Sequence, residues 1–101
     1  MFKFLSKLFA PLFESTKKNV LAEIDRAILK LENGEAVAIV VAGLRNSLIR
    51  LVGAAHLPAG AAVLVDLAVA SVNWGLLATD NAEKAKKELQ TLRLKVAGAR
   101  L

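Results

Sequence analysis

Residues 36–79 constrain the fold of this chain more than any other feature of its sequence. These 44 residues carry three charged side chains, Arg45, Arg50 and Asp66, whereas the other 57 residues carry 20. A helix that is hydrophobic nearly all round has to be buried in protein or in a bilayer. The stretch therefore predicts either a membrane-associated protein or a subunit of a larger assembly.

The apolar stretch divides into two predicted helices at AAHLPAG, where Pro58 and Gly60 favour a turn. Residues 61–79 contain one charge in 19 residues, close to the length of about 20 that a spanning helix needs. The β-branched run AVAIVV would also suit a strand. We favour a helix because polar and apolar residues do not alternate there and no turn signal follows.

Amphipathic helices are predicted on both sides of the apolar stretch. The apolar stripes at helical spacing are Val20, Ile24, Ala27, Ile28 and Leu31 in the first helix and Ala82, Ala85, Leu89, Leu92 and Val96 in the second. The predicted boundaries are an N-cap at Ser15, a stop at Gly34, a capping box formed by Asp80 and Glu83, and an end at Gly98.

These elements predict an all-α chain folded as a long antiparallel helical hairpin, with helices at about 15–53 and 60–97 and a short N-terminal amphipathic helix. Arms of nearly 40 residues would extend about 55–60 Å at 1.5 Å per residue. The length favours one domain. Its parts are an amphipathic arm (1–13), an amphipathic helix (14–34), the apolar hairpin tip (36–79) and a basic amphipathic helix (80–101). We expect an oligomer.

Antiparallel folding about the turn pairs the charges of the apolar tip with polar residues. Arg50 falls opposite Asp66, which predicts a structural ion pair, because a lone charge in a dry environment is costly. Arg45 falls opposite Ser71 and within a turn of Asn73. The alternative prediction for Asp66 is a proton-relay or pore carboxylate, because an acidic residue inside a membrane usually has a function.

The N-terminal arm contains all four phenylalanines of the chain, with two lysines between them. A Phe-rich face at the acyl boundary with lysines at the headgroups is typical of an interfacial helix. Trp74 suits either an interfacial anchor or ordinary packing. The lysines and Pro11 interrupt the apolar run, so we expect the arm to be retained rather than cleaved as a signal. The predicted membrane-interface residues are Phe2, Phe4, Phe9, Phe13, Lys3, Lys7 and Trp74.

The net charge of +5 permits an anionic partner. Phosphates of lipid or nucleic acid are candidates for the basic C-terminal helix, although its cations also suit a solvated flank. Nucleic acid is the lesser candidate, because no aromatic residue for base stacking lies in that helix. The predicted anion-binding residues are Lys84, Lys86, Lys87, Arg93, Lys95 and Arg100.

Nothing in the sequence predicts an enzyme or a cofactor. Cysteine is absent, and the single histidine, His56, has no second ligand nearby for a metal. There is no Ser/His/Asp set and no Gly-rich phosphate loop. We therefore expect a non-enzymatic protein.

The sequence thus predicts a small membrane-associated helical hairpin that self-assembles in or on a bilayer. Lysines on both flanks of the apolar stretch predict both termini on the cytoplasmic side. In size, hairpin topology and basic C-terminus the chain resembles phage holins and small virion-associated membrane proteins, a resemblance of class that implies self-assembly in a bilayer. The alternative is a soluble structural subunit of a helical, ring or capsid-type assembly, such as a virion, with the apolar tip buried between copies.

Overall fold

The computed structural model describes the backbone of residues 2–55 and 59–99, and the side chains of residues 13–51 and 63–99. Across these residues the chain is all-helical, which confirms the predicted fold class. The predicted turn at His56 and Pro58 lies outside the described residues. The helices are α1 (Phe2–Glu32), α2 (Val37–Ala55), α3 (Ala59–Ala70), α4 (Trp74–Thr79) and α5 (Ala82–Ala97).

Helix α1 is continuous where the sequence predicted a separate arm and a second helix starting after Ser15. The helix runs through Pro11 and Ser15 for 31 residues. Phe13, Thr16 and Val20 are buried at helical spacing on either side of Ser15. The prediction of a cap at Ser15 was wrong because burial of this shared face outweighs the local capping preference of serine.

The end of α1 matches the predicted stop at Gly34. Gly34 has a φ of 85°, a left-handed conformation that glycine adopts at little cost. The Gly34 amide donates to the Leu31 carbonyl at 3.1 Å and the Glu35 amide donates to the Lys30 carbonyl at 3.0 Å. These two bonds form a Schellman motif, which satisfies carbonyls at the helix end. The predicted helix 15–53 is therefore interrupted between α1 and α2.

A second interruption separates α3 from α4 inside the predicted helix 60–97. The Ser71 hydroxyl donates to the Leu67 carbonyl at 2.6 Å, and the Trp74 indole Nε1 donates to the Val69 carbonyl at 2.8 Å. Asn73 caps α4 by accepting from the Leu76 amide at 3.1 Å. The Trp74 and Asn73 side chains thus satisfy backbone groups that the break frees, while the Ser71 hydroxyl shares the Leu67 carbonyl with the Ser71 amide.

Helix α5 begins one residue later than the predicted capping box requires. Asn81 is the N-cap, and its side chain accepts from the Lys84 amide at 2.8 Å. Asp80 instead forms the C-cap of α4. The predicted pairing of Asp80 with Glu83 as a capping box was wrong, because an asparagine at the next position serves the same purpose. The predicted end at Gly98 is confirmed.

Helix α1 lies at the centre of the packing and contacts α2, α3 and α5, while α2 also packs against α4. The described residues extend 48 × 24 × 21 Å. The predicted arms of about 55–60 Å do not form, since the breaks at residues 33–36 and 71–73 divide both long helices. The predicted two-helix hairpin is not confirmed, and the helices pack around one hydrophobic core. That core is formed by Phe13, Val20, Ile24, Ala27, Leu31, Val40, Val41, Leu44, Leu48, Leu64, Val65, Ala68, Leu77, Ala85, Leu89, Leu92 and Val96.

Candidate interaction surface

The outward face of α2 follows from the helical spacing of its buried residues. Val40, Val41, Leu44 and Leu48 are buried against the other helices. About 100° per residue separates neighbours on a helix, so the opposite side is set by the same pattern. We call this side the outward face of α2, and it consists of Ala38, Ile39, Ala42, Asn46 and Ile49, with Arg45 and Arg50 along its two edges.

Large apolar side chains on this face are open to solvent. Ile39 is 73% exposed and Ile49 is 45% exposed. Val63 and Leu67 on α3 and Leu76 on α4 are exposed as well. Contiguous exposed apolar surface marks sites for protein or membrane contact, whereas single exposed side chains need no explanation.

A groove of about 410 Å³ runs between α2 and α4. Most of its wall is small or apolar, which leaves space for a side chain from a partner. Arg45 lines this groove together with Trp74. It does not pair with Ser71 or Asn73, whose side-chain oxygens bond to the backbone nearby. The lining residues are Val41, Ala42, Arg45, Asn46, Trp74, Gly75 and Ala78.

The predicted ion pair between Arg50 and Asp66 does not form among the side chains that the structure describes. Both residues are exposed, and the five ion pairs found between described side chains involve other groups. Because these two side chains keep access to water, neither charge needs a partner to be tolerated.

The basic helix α5 holds several of its cations in ion pairs. Lys84 Nζ lies 3.5 Å from Asp80 Oδ1, Lys86 Nζ lies 2.9 Å from Glu83 Oε1, and Arg93 Nε lies 2.6 Å from Asp25 Oδ1. These three cations therefore do not form a free phosphate-binding cluster. Lys87 and Lys95 are exposed and take part in none of the described pairs, while Arg100 lies outside the described residues.

Phe13, predicted at a membrane interface, is a core residue with 5% exposure. Lys17 Nζ lies 5.4 Å from the centre of its ring, within range of a cation–π interaction. The Phe2, Phe4, Phe9, Lys3 and Lys7 positions lie within α1, but their side chains are outside the described part of the structure.

Asp80 and Glu88 form a carboxyl pair that the sequence reading missed. The Asp80 side chain is 8% exposed; its Oδ1 faces Lys84, and its Oδ2 is buried without a hydrogen-bond partner among the described atoms. Burial raises the pKa of the Glu88 carboxyl, and the nearby Asp80 carboxyl raises it further, while Lys84 opposes the shift. The sequence feature that could have predicted this pair is the four-residue spacing of Asp80, Lys84 and Glu88, which places them one helical turn apart on one face.

Within the described parts of the chain, no helix combines the length and the hydrophobicity needed to cross a bilayer. The same residues contain no group of three or more His, Cys, Asp or Glu side chains placed to hold a metal ion. Comparison with protein-family models, with curated proteins and with solved structures finds no match.

Proposed function

We propose that this chain is a non-enzymatic helical protein that acts by associating with a bilayer surface and with copies of itself. One observation supports the proposal most directly. Five of the seven large apolar side chains exposed among the described residues lie on α2, α3 and α4, and they are Ile39, Ile49, Val63, Leu67 and Leu76.

The proposal has an energetic basis, because covering the apolar side chains that α2–α4 exposes to water lowers the free energy. Removing apolar surface from water is worth about 25 cal/mol per Å², so covering these exposed side chains is favourable. A bilayer boundary covers such surface when an amphipathic helix lies flat in it. The predicted arrangement with both termini on the cytoplasmic side concerns a spanning hairpin and stays a prediction.

The test is flotation of the untagged, purified protein with liposomes, followed by an alkaline carbonate wash. We expect the protein to float with the vesicles. The double variant Ile39→Ser/Leu76→Ser should lose most of this binding. A matched control is Leu29→Ser/Leu94→Ser, which removes two leucines that are also more than half exposed, but on α1 and α5.

Equal loss of flotation in both double variants would show that binding depends on overall hydrophobicity rather than on α2–α4. Absence of flotation in the unmodified protein would contradict the membrane proposal. Circular dichroism of each variant checks that the fold is retained, which we expect because all four side chains are at the surface.

A soluble structural subunit is the second candidate, and the α2–α4 groove favours it. The groove is lined by Ala42, Gly75 and Ala78, small residues that admit a side chain from a neighbouring copy. Under this alternative the protein forms a discrete large particle without lipid, measured by light scattering after size exclusion. Gly75→Leu fills the groove and should then reduce the particle to smaller species.

A further inference from the structure

The outward face of α2 combines apolar and basic side chains without any acidic one. No Asp or Glu occurs between Glu35 and Asp66. Arg45 and Arg50 are exposed, and neither takes part in an ion pair between described side chains. The face therefore presents positive charge along its edges and mainly aliphatic surface between them, interrupted by Asn46. At the Arg50 edge, Glu23 and Glu35 line a neighbouring groove together with the cations Arg26 and Lys30, so the charge there stays positive.

This arrangement matches the layers at the surface of a lipid bilayer. Helix α2 has 19 residues and is about 28 Å long at 1.5 Å per residue, so it offers an extended line of contact. An interfacial helix buries its apolar face about 5–10 Å into the acyl boundary. Arginine stems follow the apolar layer while their guanidinium groups reach the headgroup phosphates.

We propose that the outward face of α2 docks on an anionic bilayer, with Ile39 and Ile49 at the acyl boundary and Arg45 and Arg50 on lipid phosphates. This inference rests on the proposed membrane association and specifies its face and its lipid. The exposed face of α3 matches an anionic surface less well than α2 does, because Asp66 lies there beside Val63 and Leu67.

Charge also argues against other occupants of this face. A symmetric contact with a second copy would bring the same two arginines together across the interface, which is unfavourable. Single-stranded nucleic acid usually stacks successive bases on several aromatic side chains, whereas among the described side chains this face has one aromatic neighbour, Trp74 in the α2–α4 groove.

The experiment measures partition of the full-length protein onto vesicles of phosphatidylcholine alone and of phosphatidylcholine mixed with phosphatidylserine. Each cation near an anionic surface contributes about 1 kcal/mol. The variant Arg45→Gln/Arg50→Gln should therefore weaken binding to the mixed vesicles about thirtyfold, and change binding to the neutral vesicles little. The matched control Lys87→Gln/Lys95→Gln removes the same charge from α5 and should weaken binding by less than threefold.

Similar losses for the two double variants would overturn the inference, because binding would then follow net charge alone. Equal binding of the unmodified protein to neutral and mixed vesicles would also overturn it, while leaving the proposed membrane association intact. Absence of binding to both vesicles would remove the inference together with the proposed function. Loss of an oligomer by Arg45→Gln/Arg50→Gln without lipid would identify a second copy as the occupant, and so contradict the lipid assignment.

Discussion

The pair of helices α1 and α5 differs from the region α2–α4 in how clearly the sequence specifies which side is buried. In α1 and α5, charged residues separate the apolar ones, and each helix buries a single stripe. In α2–α4 apolar residues occur on every side, so Ile39 and Ile49 remain exposed while Leu44 and Leu48 are buried. Contrast between polar and apolar positions, rather than total hydrophobicity, therefore determines the packed face.

The largest test of this comparison is a pair of truncations. Leu89 on α5 is fully buried, and Leu89→Ala should lower the free energy of unfolding by about 2–5 kcal/mol through lost contacts and a residual cavity. Leu67 on α3 is 42% exposed, and Leu67→Ala should cost less than about 1 kcal/mol. Denaturant unfolding followed by circular dichroism measures both. Equal costs would mean that α3 is packed as tightly as α5, and would end the comparison.

The same substitution at two glycines refines the comparison, because we expect it to lower stability at one position and to raise it at the other. Gly34→Ala places a side chain at a positive φ and should destabilise by about 1–2 kcal/mol, although the space around it is open. Gly43 lies inside α2 with open space around it, so Gly43→Ala should stabilise by about 0.5–1 kcal/mol through helix propensity. Thermal unfolding reports both shifts. A Gly43→Ala that destabilises only in concentrated protein would indicate that a second copy packs closely at this point.

The smallest expected effect is a pH dependence within α5. The pKa of Glu88 is raised, so its folded form binds a proton that the unfolded chain releases, and stability falls as pH rises from about 4.5 through the folded pKa. The pKa of Glu83 is lowered, chiefly by its hydrogen bond from Lys86, so its contribution is lost as pH falls instead. We expect Glu88→Gln to flatten the decline above pH 4.5 in a series of unfolding curves. Glu83→Gln is the control and should leave that decline in place.

The sequence was sufficient to predict the buried face of a helix where apolar residues alternate with charged ones, and to predict a helix end at a glycine. The stripes in α1 and α5 are buried at the predicted positions, apart from partial exposure of Ile28 and Ala82, and Gly34 ends its helix as predicted. The break at 71–73 was not predicted, because it depends on side chains of Ser71, Asn73 and Trp74 bonding to nearby backbone. Such local side-chain to backbone bonds produce little recognisable pattern in the spacing of residues.

The candidate surface was predicted less completely than the fold. The apolar stretch drew attention to residues 36–79, yet the pairing of Arg50 with Asp66 assumed two straight helices in register. Because the helices are interrupted at 33–36 and 71–73, residues at equal distance from the predicted turn are no longer neighbours. Arg45 accordingly lines a groove with Trp74, and both arginines lie at the edges of the outward face of α2.

The contact between Lys17 and α5 has a consequence for the order of folding. Lys17 Nζ donates to the Ala97 carbonyl at 3.2 Å, joining positions 80 residues apart in the chain. During synthesis the stripe of α1 therefore emerges long before the helix that covers it. Such delayed, distant contacts slow folding and leave apolar surface open to aggregation or to chaperones. The time between translation of α1 and of α5 is thus when this chain is most vulnerable to misassembly.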